Sequence, residues 1–190
     1  MQLLKFIGFL TLLYQRFAHL EKLMIPEGNT IELHDVWWLH SRLITSAEEI
    51  NSVYTTQLLF WITTMFLNAL SRIYTLTGEE IDLSFFKIRE SLSVTACLVN
   101  LFIITAMCHF TAAQGNKVGG TMFSPRSVLS RKRCFVEVQY DNIEVGVYFH
   151  LRKLDFSAGA GFIRIDLPLL LSIGGAMTTY LVILHALNNS

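Results

Sequence analysis

Three long stretches of the sequence are apolar and almost free of charge, and they limit the possible folds more than any other feature. They are residues 51–77, whose one charged side chain is Arg72, and residues 91–116 and 167–190, which have none. About 20 apolar helical residues cross the roughly 30 Å hydrocarbon core of a bilayer. The backbone N–H and C=O groups must hydrogen-bond to one another there, because the core holds no water. The sequence therefore predicts an all-α membrane protein, a helical bundle with three full transmembrane helices plus a truncated one.

The composition supports this class and excludes others. Of the 190 residues, 52% are hydrophobic and 16% are charged, whereas a soluble domain carries about 25% charged residues. Fifteen basic residues balance fifteen acidic ones, so no net charge attracts nucleic acid. The three cysteines are too few and too widely spaced for a disulfide scaffold. We expect membrane lipid as a partner and no nucleic acid.

A fourth apolar stretch, residues 3–14, is too short to span a bilayer. Lys5 interrupts it and Arg16 closes it, which leaves only about ten uncharged residues. No small-residue cleavage site follows, as a signal peptide would require. We interpret residues 1–24 as helical, the end of a truncated transmembrane helix.

The second apolar stretch continues an amphipathic pattern that precedes it. After a turn signal at residues 26–29, apolar side chains recur at helical spacing without a breaker. The pattern predicts one long helix from about residue 31 to residue 76. Residues 25–51 are interpreted as a cytoplasmic loop and amphipathic helix, and residues 52–77 as a transmembrane helix.

The remaining chain is divided by its loops. We predict an extracellular loop at 78–90, a transmembrane helix at 91–114, a cytoplasmic loop and anchor helix at 115–165, and a transmembrane pore-type helix at 166–188. Asp166 can act as the N-cap of this last helix, and Pro168 fits its first turn.

Residues 115–165 are the least hydrophobic part of the chain. Gly119-Gly120 and Ser124-Pro125 predict a loop. The basic run at residues 131–133 is expected to contact solvent or lipid headgroups. Residues 135–155 have the pattern of a second amphipathic helix.

Lysine and arginine predict the orientation, because they are enriched in cytoplasmic loops. Residues 114–165 hold eight of them and residues 15–51 hold three, eleven together, whereas residues 78–90 hold two. The two larger segments are therefore predicted to be cytoplasmic. The C-terminus is then extracellular, in a multi-pass protein of the cell membrane.

The histidines and tryptophans show no spacing that indicates a site. His34 and His40 are six residues apart, whereas a metal pair on a helix is spaced by about three or four. We interpret both as structural or surface residues. Trp37, Trp38 and Trp61 are interpreted as interface anchors or packing residues, with a ligand cage as the alternative. No nucleophile, phosphate-binding or zinc motif occurs, so we expect no enzyme, no metal and no cofactor.

Small side chains form a stripe along the last predicted helix at steps of three and four residues. The stripe consists of Ser172, Gly175, Ala176, Thr179, Ile183 and Ala186. One interpretation is close helix–helix packing in lipid. The other is the lining of a pore in an oligomer, with small polar groups and an apolar constriction. The spacing alone leaves both interpretations open.

The end of the chain resembles the signature of insect gustatory receptors. Residues 161–166 read Gly-Phe-Ile-Arg-Ile-Asp, a Leu pair stands at 169–170, and residues 175–184 read Gly-Ala-Met-Thr-Thr-Tyr-Leu-Val-Ile-Leu. The family signature has a Gly-Phe, an Asp, a Leu pair, and a Thr-Tyr followed by five apolar residues and Gln-Phe. The positions that match it are Gly161, Phe162, Asp166, Thr179 and Tyr180.

Two earlier segments are similar to the same family. Residues 38–43 and 47–51 resemble the segment ahead of its fifth span, and residues 149–156 resemble the segment before its last helix. The matches keep the family order between residues 37 and 184. The chain thus resembles the C-terminal half of such a receptor.

The resemblance implies a seven-span chemosensory receptor with a cytoplasmic N-terminus, which acts in taste and signal transduction. It implies a homo- or hetero-tetramer with related subunits, which forms a ligand-gated, non-selective cation channel. The small-molecule tastant would be bound mainly by N-terminal spans missing from this chain. The contact between subunits would be anchored by residues 33–50 and 135–155.

By the same resemblance, the pore lining falls on Thr179, Ile183, Ala186 and Leu187. Ala186-Leu187 replaces the family's Gln-Phe, with His185 before it, and this removes the polar side chain expected at the pore. A non-conducting structural or regulatory membrane subunit, or a non-functional truncated receptor, is therefore the alternative. A fragment of a G-protein-coupled receptor is opposed by the predicted extracellular C-terminus, because those receptors end inside the cell.

Overall fold

The structure, a computed structural model, describes residues 2–24, 33–77, 84–122 and 141–188. Within these ranges it consists of helices and one short antiparallel hairpin. The elements are α1 (Gln2–Met24), α2 (Leu33–Thr77), α3 (Ser84–Met122), α4 (Asp141–Leu151), β1 (Ser157–Ala158), β2 (Ile163–Arg164) and α5 (Leu167–Asn188). The predicted helical fold class is confirmed.

Helix α2 is a single helix of 45 residues, as the spacing of its apolar side chains predicted. It contains neither glycine nor proline, so no residue removes a donor from its backbone ladder or weakens it by backbone entropy. Helix α1 likewise agrees with the helix predicted for residues 1–24.

Helix α3 is longer at both ends than the sequence predicted. It begins at Ser84, inside the predicted loop 78–90, and it ends at Met122. The predicted loop at Gly119-Gly120 is wrong, because both glycines are helical. A glycine is useful at 119 because Phe149 packs so closely that an added Cβ would lie 3.1 Å from the Phe149 Cβ.

The anchor helix predicted over 135–155 ends four residues earlier in the structure. Helix α4 is described from Asp141 to Leu151, and residues 135–140 lie outside the described residues. Beyond α4, the side chain of Asn116 forms two hydrogen bonds with the backbone of Leu154. Its Oδ1 accepts from the Leu154 N–H at 2.8 Å, and its Nδ2 donates to the Leu154 carbonyl at 3.0 Å. Residues 152–156 are not helical, although a helix was predicted there, and the β1–β2 hairpin that follows was not predicted at all.

The chain divides into two compact units, each with its own buried side chains. Unit 1 consists of residues 1–53 and 107–156, and unit 2 consists of residues 54–106 and 157–190. A buried cluster of unit 1 joins α1, α2, α3 and α4; its members are Leu20, Val36, Val118, Val145 and Phe149. A buried cluster of unit 2 joins α2 and α5; its members are Ala69, Leu70 and Met177.

Two helices among the described residues are long and apolar enough to cross a membrane. They are Phe85–Gly120 in α3 and Leu167–Leu184 in α5, with mean hydropathies of 2.0 and 1.9. Only 28% and 6% of these apolar windows are buried within the chain. The segment 52–77 of α2 is more polar, because it includes Gln57, Asn68 and several threonines. A span at 52–77 therefore stays a prediction.

Candidate functional site

Helix α5 starts at the residue that the sequence indicated. The Asp166 Oδ1 accepts a hydrogen bond from the backbone N–H of Leu169 at 3.2 Å, which is the N-cap arrangement. Pro168 lies in the first turn, where its missing N–H costs nothing. The Arg164 Nε lies 3.5 Å from the other Asp166 oxygen. The cap and this ion pair fix the direction in which α5 leaves the hairpin.

Helix α5 has one packed face and one open face. Ile173, Met177 and Leu181 belong to the cluster that packs on Ala69 and Leu70 of α2. The small-residue stripe lies elsewhere on the helix, and each of its members is exposed: Ser172, Gly175, Ala176, Thr179, Ile183 and Ala186. An added Cβ at Gly175 would meet nothing within 4 Å. The stripe is therefore not used for packing among the described residues of this chain.

The hydroxyl groups on α5 bond to their own helix. Ser172, Thr178 and Thr179 each donate to the carbonyl four residues earlier, at 3.3, 2.9 and 2.9 Å. This back-bonding satisfies the donor without a partner from outside the helix. It leaves the oxygen lone pairs as acceptors on the surface. The surface suits lipid or a neighbouring helix, and it also offers oxygen atoms to a cation.

The predicted pore residues fall on this helix as follows. Thr179, Ile183 and Ala186 are exposed on α5, and 51% of the Ile183 side chain is accessible. Leu187 is helical, but its side chain lies outside what the structure describes. The structure thus brings three of the four onto one open face, and their role in a pore stays a prediction.

The matched motif residues Gly161 and Phe162 lie in the turn of the β1–β2 hairpin. Gly161 has a φ of 94°, and the two preceding residues, Gly159 and Ala160, have φ values of 64° and 56°. Only glycine adopts such angles freely. This explains the glycine of the motif by backbone geometry. Phe162 is 83% exposed.

Thr55 of α2 holds this hairpin, and the sequence reasoning missed it. Its Oγ1 donates to the Ser157 carbonyl at 3.2 Å and accepts from the Ala160 N–H at 2.9 Å. Its backbone carbonyl accepts from the Gly159 N–H at 3.1 Å. The Gly-Ala-Gly run was the available signal for a turn, but no local pattern indicated Thr55 as its partner.

The last turns of α3 connect the elements of unit 1. The Gln114 Nε2 donates to Glu21 of α1 at 2.6 Å, and the Lys117 Nζ lies 3.0 Å from the other oxygen of that carboxylate. Asn116 holds Leu154, as described above. Four consecutive residues of α3 from 114 to 117 thus bond to three different parts of the chain, since the Gly115 carbonyl faces His40 of α2.

His40 is a structural histidine, as interpreted from the sequence. It is buried, with 2% of its surface exposed. Its Nε2 lies 3.1 Å from the Gly115 carbonyl and its Nδ1 lies 3.3 Å from the Tyr148 hydroxyl. The carbonyl requires a donor, so we assign the proton to Nε2 and let Nδ1 accept from Tyr148. Burial lowers the pKa of His40, and the positive charge of Arg152 acts in the same direction.

The three tryptophans have separate partners, an aromatic ring for Trp37 and for Trp61 and the Arg42 guanidinium for Trp38, which favours packing over a cage. Trp37 meets Tyr148 edge-on at 6.0 Å between centroids, and Trp61 lies 6.4 Å from Tyr54. Trp38 is half exposed. No group of three or more metal-ligating side chains occurs in the described part of the chain.

An ionic cluster joins α2 and α3 in unit 2. Glu90 is buried to 5% exposure and receives two guanidinium groups, from Arg72 at 2.5 Å and from Arg89 at 3.0 Å. Arg89 also lies over the ring of Phe86, 4.9 Å from its centroid. Arg72 is the one charged residue in the apolar stretch 51–77, and the carboxylate of Glu90 compensates its charge.

Comparison with known proteins finds relatives for nearly the whole chain. A family model described as 7tm Chemosensory receptor matches residues 1–185. The putative gustatory receptor 28b of Drosophila melanogaster is 30% identical over 155 residues, which are 77% of this chain and 32% of that protein. The chain thus spans about a third of the length of this relative.

Solved structures share the fold. The insect olfactory receptor OR5 from Machilis hrabei superposes with a TM-score of 0.78 at 19% identity, over 96% of this chain and 47% of that one. The structure of the same receptor in complex with eugenol matches with a TM-score of 0.78 at 18% identity, over 96% of this chain and 46% of that one. At these identities the likeness concerns the fold, and the chain spans about half of the receptor.

Proposed function

The chain belongs to the 7tm chemosensory receptor family, and we propose that it is a gustatory receptor subunit contributing to a ligand-gated, non-selective cation channel. The family is one of membrane receptors rather than enzymes. In this proposal the chain supplies the C-terminal half of a subunit that assembles as a homo- or hetero-tetramer and acts in taste.

The open stripe of α5 is the observation that carries this proposal. The helix packs Ile173, Met177 and Leu181 against α2 and leaves the small and hydroxylated side chains of the stripe, together with Ile183, uncovered. A helix that only filled lipid would gain nothing from small residues on its outer face, whereas a helix facing other subunits needs them for close approach. The stripe therefore favours a position of α5 at the centre of an oligomer.

The order of side chains along the stripe fits the conduction of cations. In a tetramer, Thr179 would give a ring of four hydroxyl oxygens, and Ile183 would give an apolar ring one turn further along. Oxygen atoms replace part of the hydration shell of a cation, and an apolar ring can close a pore by excluding water. Ala186 and Leu187 would continue the apolar lining where the family has Gln-Phe.

The distribution of charge supports an orientation with an extracellular C-terminus. The loops that contain residues 15–51 and 114–165 hold eleven lysines and arginines, against two in the loop 78–90. The subunit anchor would then be cytoplasmic and formed by the first part of α2 together with α4, which share the buried cluster of unit 1.

The ligand is proposed to be a small-molecule tastant. The olfactory receptor of the same fold was solved in complex with eugenol, a small organic molecule. This chain spans about half of that receptor and about a third of its gustatory relative. We therefore propose that the tastant binds mainly to parts of the receptor that this chain does not match. The gate is then formed by α5.

Cysteine accessibility tests the proposal. Thr179→Cys, Ile183→Cys and Ala186→Cys are introduced into the receptor in cell membranes after the three native cysteines are changed to alanine. We expect a charged, aqueous thiol reagent to modify all three positions and to reduce the cation current. Met177→Cys is the matched control, because Met177 is 6% exposed on the packed face and is expected to stay unmodified.

The same experiment decides the alternative of a non-conducting structural or regulatory subunit. In that case the stripe is buried against partner helices. Positions 179, 183 and 186 would then resist the aqueous reagent with and without tastant, as Met177→Cys does, and the pore assignment would be wrong. The replacement of Gln-Phe by Ala186-Leu187 is the feature of this sequence that favours this alternative.

A further inference from the structure

Three hydrogen bonds from one residue, Thr55, tie the β1–β2 hairpin to α2. The Thr55 Oγ1 donates to the Ser157 carbonyl at 3.2 Å and accepts from the Ala160 N–H at 2.9 Å. The Thr55 carbonyl accepts from the Gly159 N–H at 3.1 Å. A hydroxyl oxygen can donate and accept at once, which an apolar side chain of the same shape cannot do. Thr55 therefore binds the first strand and the turn of the hairpin at one point of α2.

The turn that Thr55 binds has one specific backbone conformation. Gly159, Ala160 and Gly161 have consecutive φ values of 64°, 56° and 94°, in the region that glycine adopts more readily than other residues. Leu59, one helical turn beyond Thr55, lies against Gly159, where an added Cβ would be 3.1 Å from the Leu59 Cδ2. The hairpin thus contacts α2 at two successive turns of that helix.

The hairpin leads directly into α5. Residues 165 and 166 alone separate β2 from α5. Ile165 is buried, and the Asp166 Oδ1 accepts from the Leu169 N–H at 3.2 Å. The other Asp166 oxygen lies 3.5 Å from the Arg164 Nε. Because both connecting residues are buried or bonded, the position of the hairpin fixes the position of the first turn of α5.

Helix α5 meets α2 a second time, further along both helices. Met177 packs with Ala69 and Leu70 of α2. Ala69 lies about 21 Å beyond Thr55 along α2, and Met177 lies about 15 Å beyond Leu167 along α5. The contacts follow in the same order on both helices, so α5 lies along α2 and is held at two levels.

Helix α2 is in turn fixed to α3. The buried carboxylate of Glu90 on α3 accepts from the Arg72 guanidinium of α2 at 2.5 Å, and Cys97 of α3 packs against the cluster of Ala69 and Leu70. Removing one member of a buried ion pair leaves the other charge uncompensated, which is costly. Within unit 2, α2 and α3 therefore form the frame on which α5 is mounted.

The closure of the proposed pore depends on how α5 is mounted. In the proposed function, four copies of Ile183 form an apolar ring that closes the pore by excluding water. The ring closes only when the four side chains lie at one height and face the axis. Each residue of an α-helix turns its side chain by about 100° and shifts it by about 1.5 Å. A rotation or shift of α5 by the equivalent of one residue would therefore open the ring.

We propose that Thr55 is a positioning residue of the gate. Through the hairpin it fixes the height and the rotation at which α5 begins, and thereby the register of Ile183 among the four subunits. Its two Oγ1 bonds are the part of this connection that one substitution removes while keeping the shape of the side chain. The proposal rests on the proposed function, because it requires α5 to line a pore.

The test uses Thr179→Cys, which lies one helical turn from Ile183 on the cytoplasmic side in the proposed orientation. A thiol reagent applied outside the cell must pass the Ile183 ring to reach position 179. The receptor carries no native cysteine, no tastant is added, and the reagent is the trimethylammonium-ethyl methanethiosulfonate cation. The rate of modification and the resting cation current are measured per receptor at the cell surface.

We expect Thr55→Val to raise both the outside modification rate and the resting current at least about fivefold, the lower end of typical coupling between sites. Thr55→Ser keeps the hydroxyl and is expected to restore the rate found with Thr55. Thr56→Val, at the exposed neighbouring position, is the matched control and is expected to change neither quantity. Reagent applied inside excised patches reaches position 179 without passing Ile183, so its rate should be the same in all variants.

The outcomes separate this proposal from the proposed function. If Thr55→Val only lowers the amount of receptor at the surface, and the outside rate per receptor stays that of wild type, Thr55 serves folding and the proposal is wrong. Equal increases in Thr55→Val and Thr55→Ser would exclude the hydroxyl as the cause and would also overturn it. If position 179 resists the reagent from both faces in every variant, α5 lines no pore, and the proposed function fails together with this inference.

Discussion

Two neighbouring glycines of α3 differ in what surrounds them, and this difference gives a test at the scale of one residue. Gly119→Ala is expected to destabilise unit 1 by about 1–3 kcal/mol, because the new Cβ would lie 3.1 Å from atoms of Phe149. Gly120 has nothing within 4 Å. Gly120→Ala is therefore the matched control and is expected to stabilise the helix by about 0.5–1 kcal/mol. Denaturant titration in detergent would measure both, and equal effects would contradict the close packing of Phe149.

His40 makes the stability of unit 1 depend on pH. Burial lowers its pKa below the usual 6.5, so the unfolded chain binds the proton more readily than the folded one. Its contribution is fully present above pH 6.5 and is lost as the pH falls below that value, at up to about 1.4 kcal/mol per pH unit. The facing charge is Arg152, which repels the protonated ring.

The comparison of wild type with His40→Gln isolates this effect. Glutamine keeps a donor for the Gly115 carbonyl but does not titrate. We expect the stability difference between the two proteins, measured by thermal melting in detergent, to shrink between pH 7 and pH 5. A difference that stays constant over this range would mean that His40 is not buried in the neutral form.

At the scale of one element, one hydroxyl group makes two of the three hydrogen bonds between Thr55 and the hairpin. Thr55→Val keeps the shape of the side chain and removes the bonds of Oγ1 to Ser157 and Ala160. We expect faster amide hydrogen exchange at Ala160, by a factor that corresponds to about 0.5–1.5 kcal/mol for each lost bond. Thr56→Val, on the exposed neighbouring position, is the control and is expected to leave the exchange unchanged.

The N-cap of α5 gives a second test of an element. Asp166→Ala is expected to weaken the first turn by about 1 kcal/mol, because the Leu169 N–H loses its side-chain acceptor. Asp166→Asn keeps an acceptor oxygen and should stay close to wild type. Amide exchange at Leu169 measures the difference. If the alanine and asparagine variants exchange alike, the side chain of Asp166 is not the cap.

Features that depend on neighbours in sequence were predictable, and those that depend on distant partners were not. Helix α2 and the cap at Asp166 follow from local rules about breakers and capping. Helix α3 continues through Gly119, against which Phe149 packs, and no local pattern shows that contact. The hairpin depends on Thr55, which is 105 residues away from Ala160. The stripe on α5 was visible from its spacing, but whether this chain buries it was not.

At the scale of the whole molecule, substitutions on α5 can show whether its stripe packs against helices of other copies or lines a pore between them. Gly174 and Gly175 are adjacent, exposed and free of atoms within 4 Å of an added Cβ. Only Gly175 lies on the stripe. Gly175→Leu is therefore expected to leave the fold of the single chain intact and to act on the assembled receptor, whereas Gly174→Leu is the matched control.

The measurements are subunit counting in the membrane and the cation current. If the stripe packs against other helices, Gly175→Leu prevents close approach and lowers the share of tetramers about fivefold or more, because overpacking costs about 1–3 kcal/mol. If the stripe lines a pore, the tetramers persist and the current falls, because four leucine side chains narrow the path near Thr179. A variant that assembles and conducts as Gly174→Leu does would show that the stripe faces lipid. The two assays together therefore separate the interpretations that the spacing of the stripe left open.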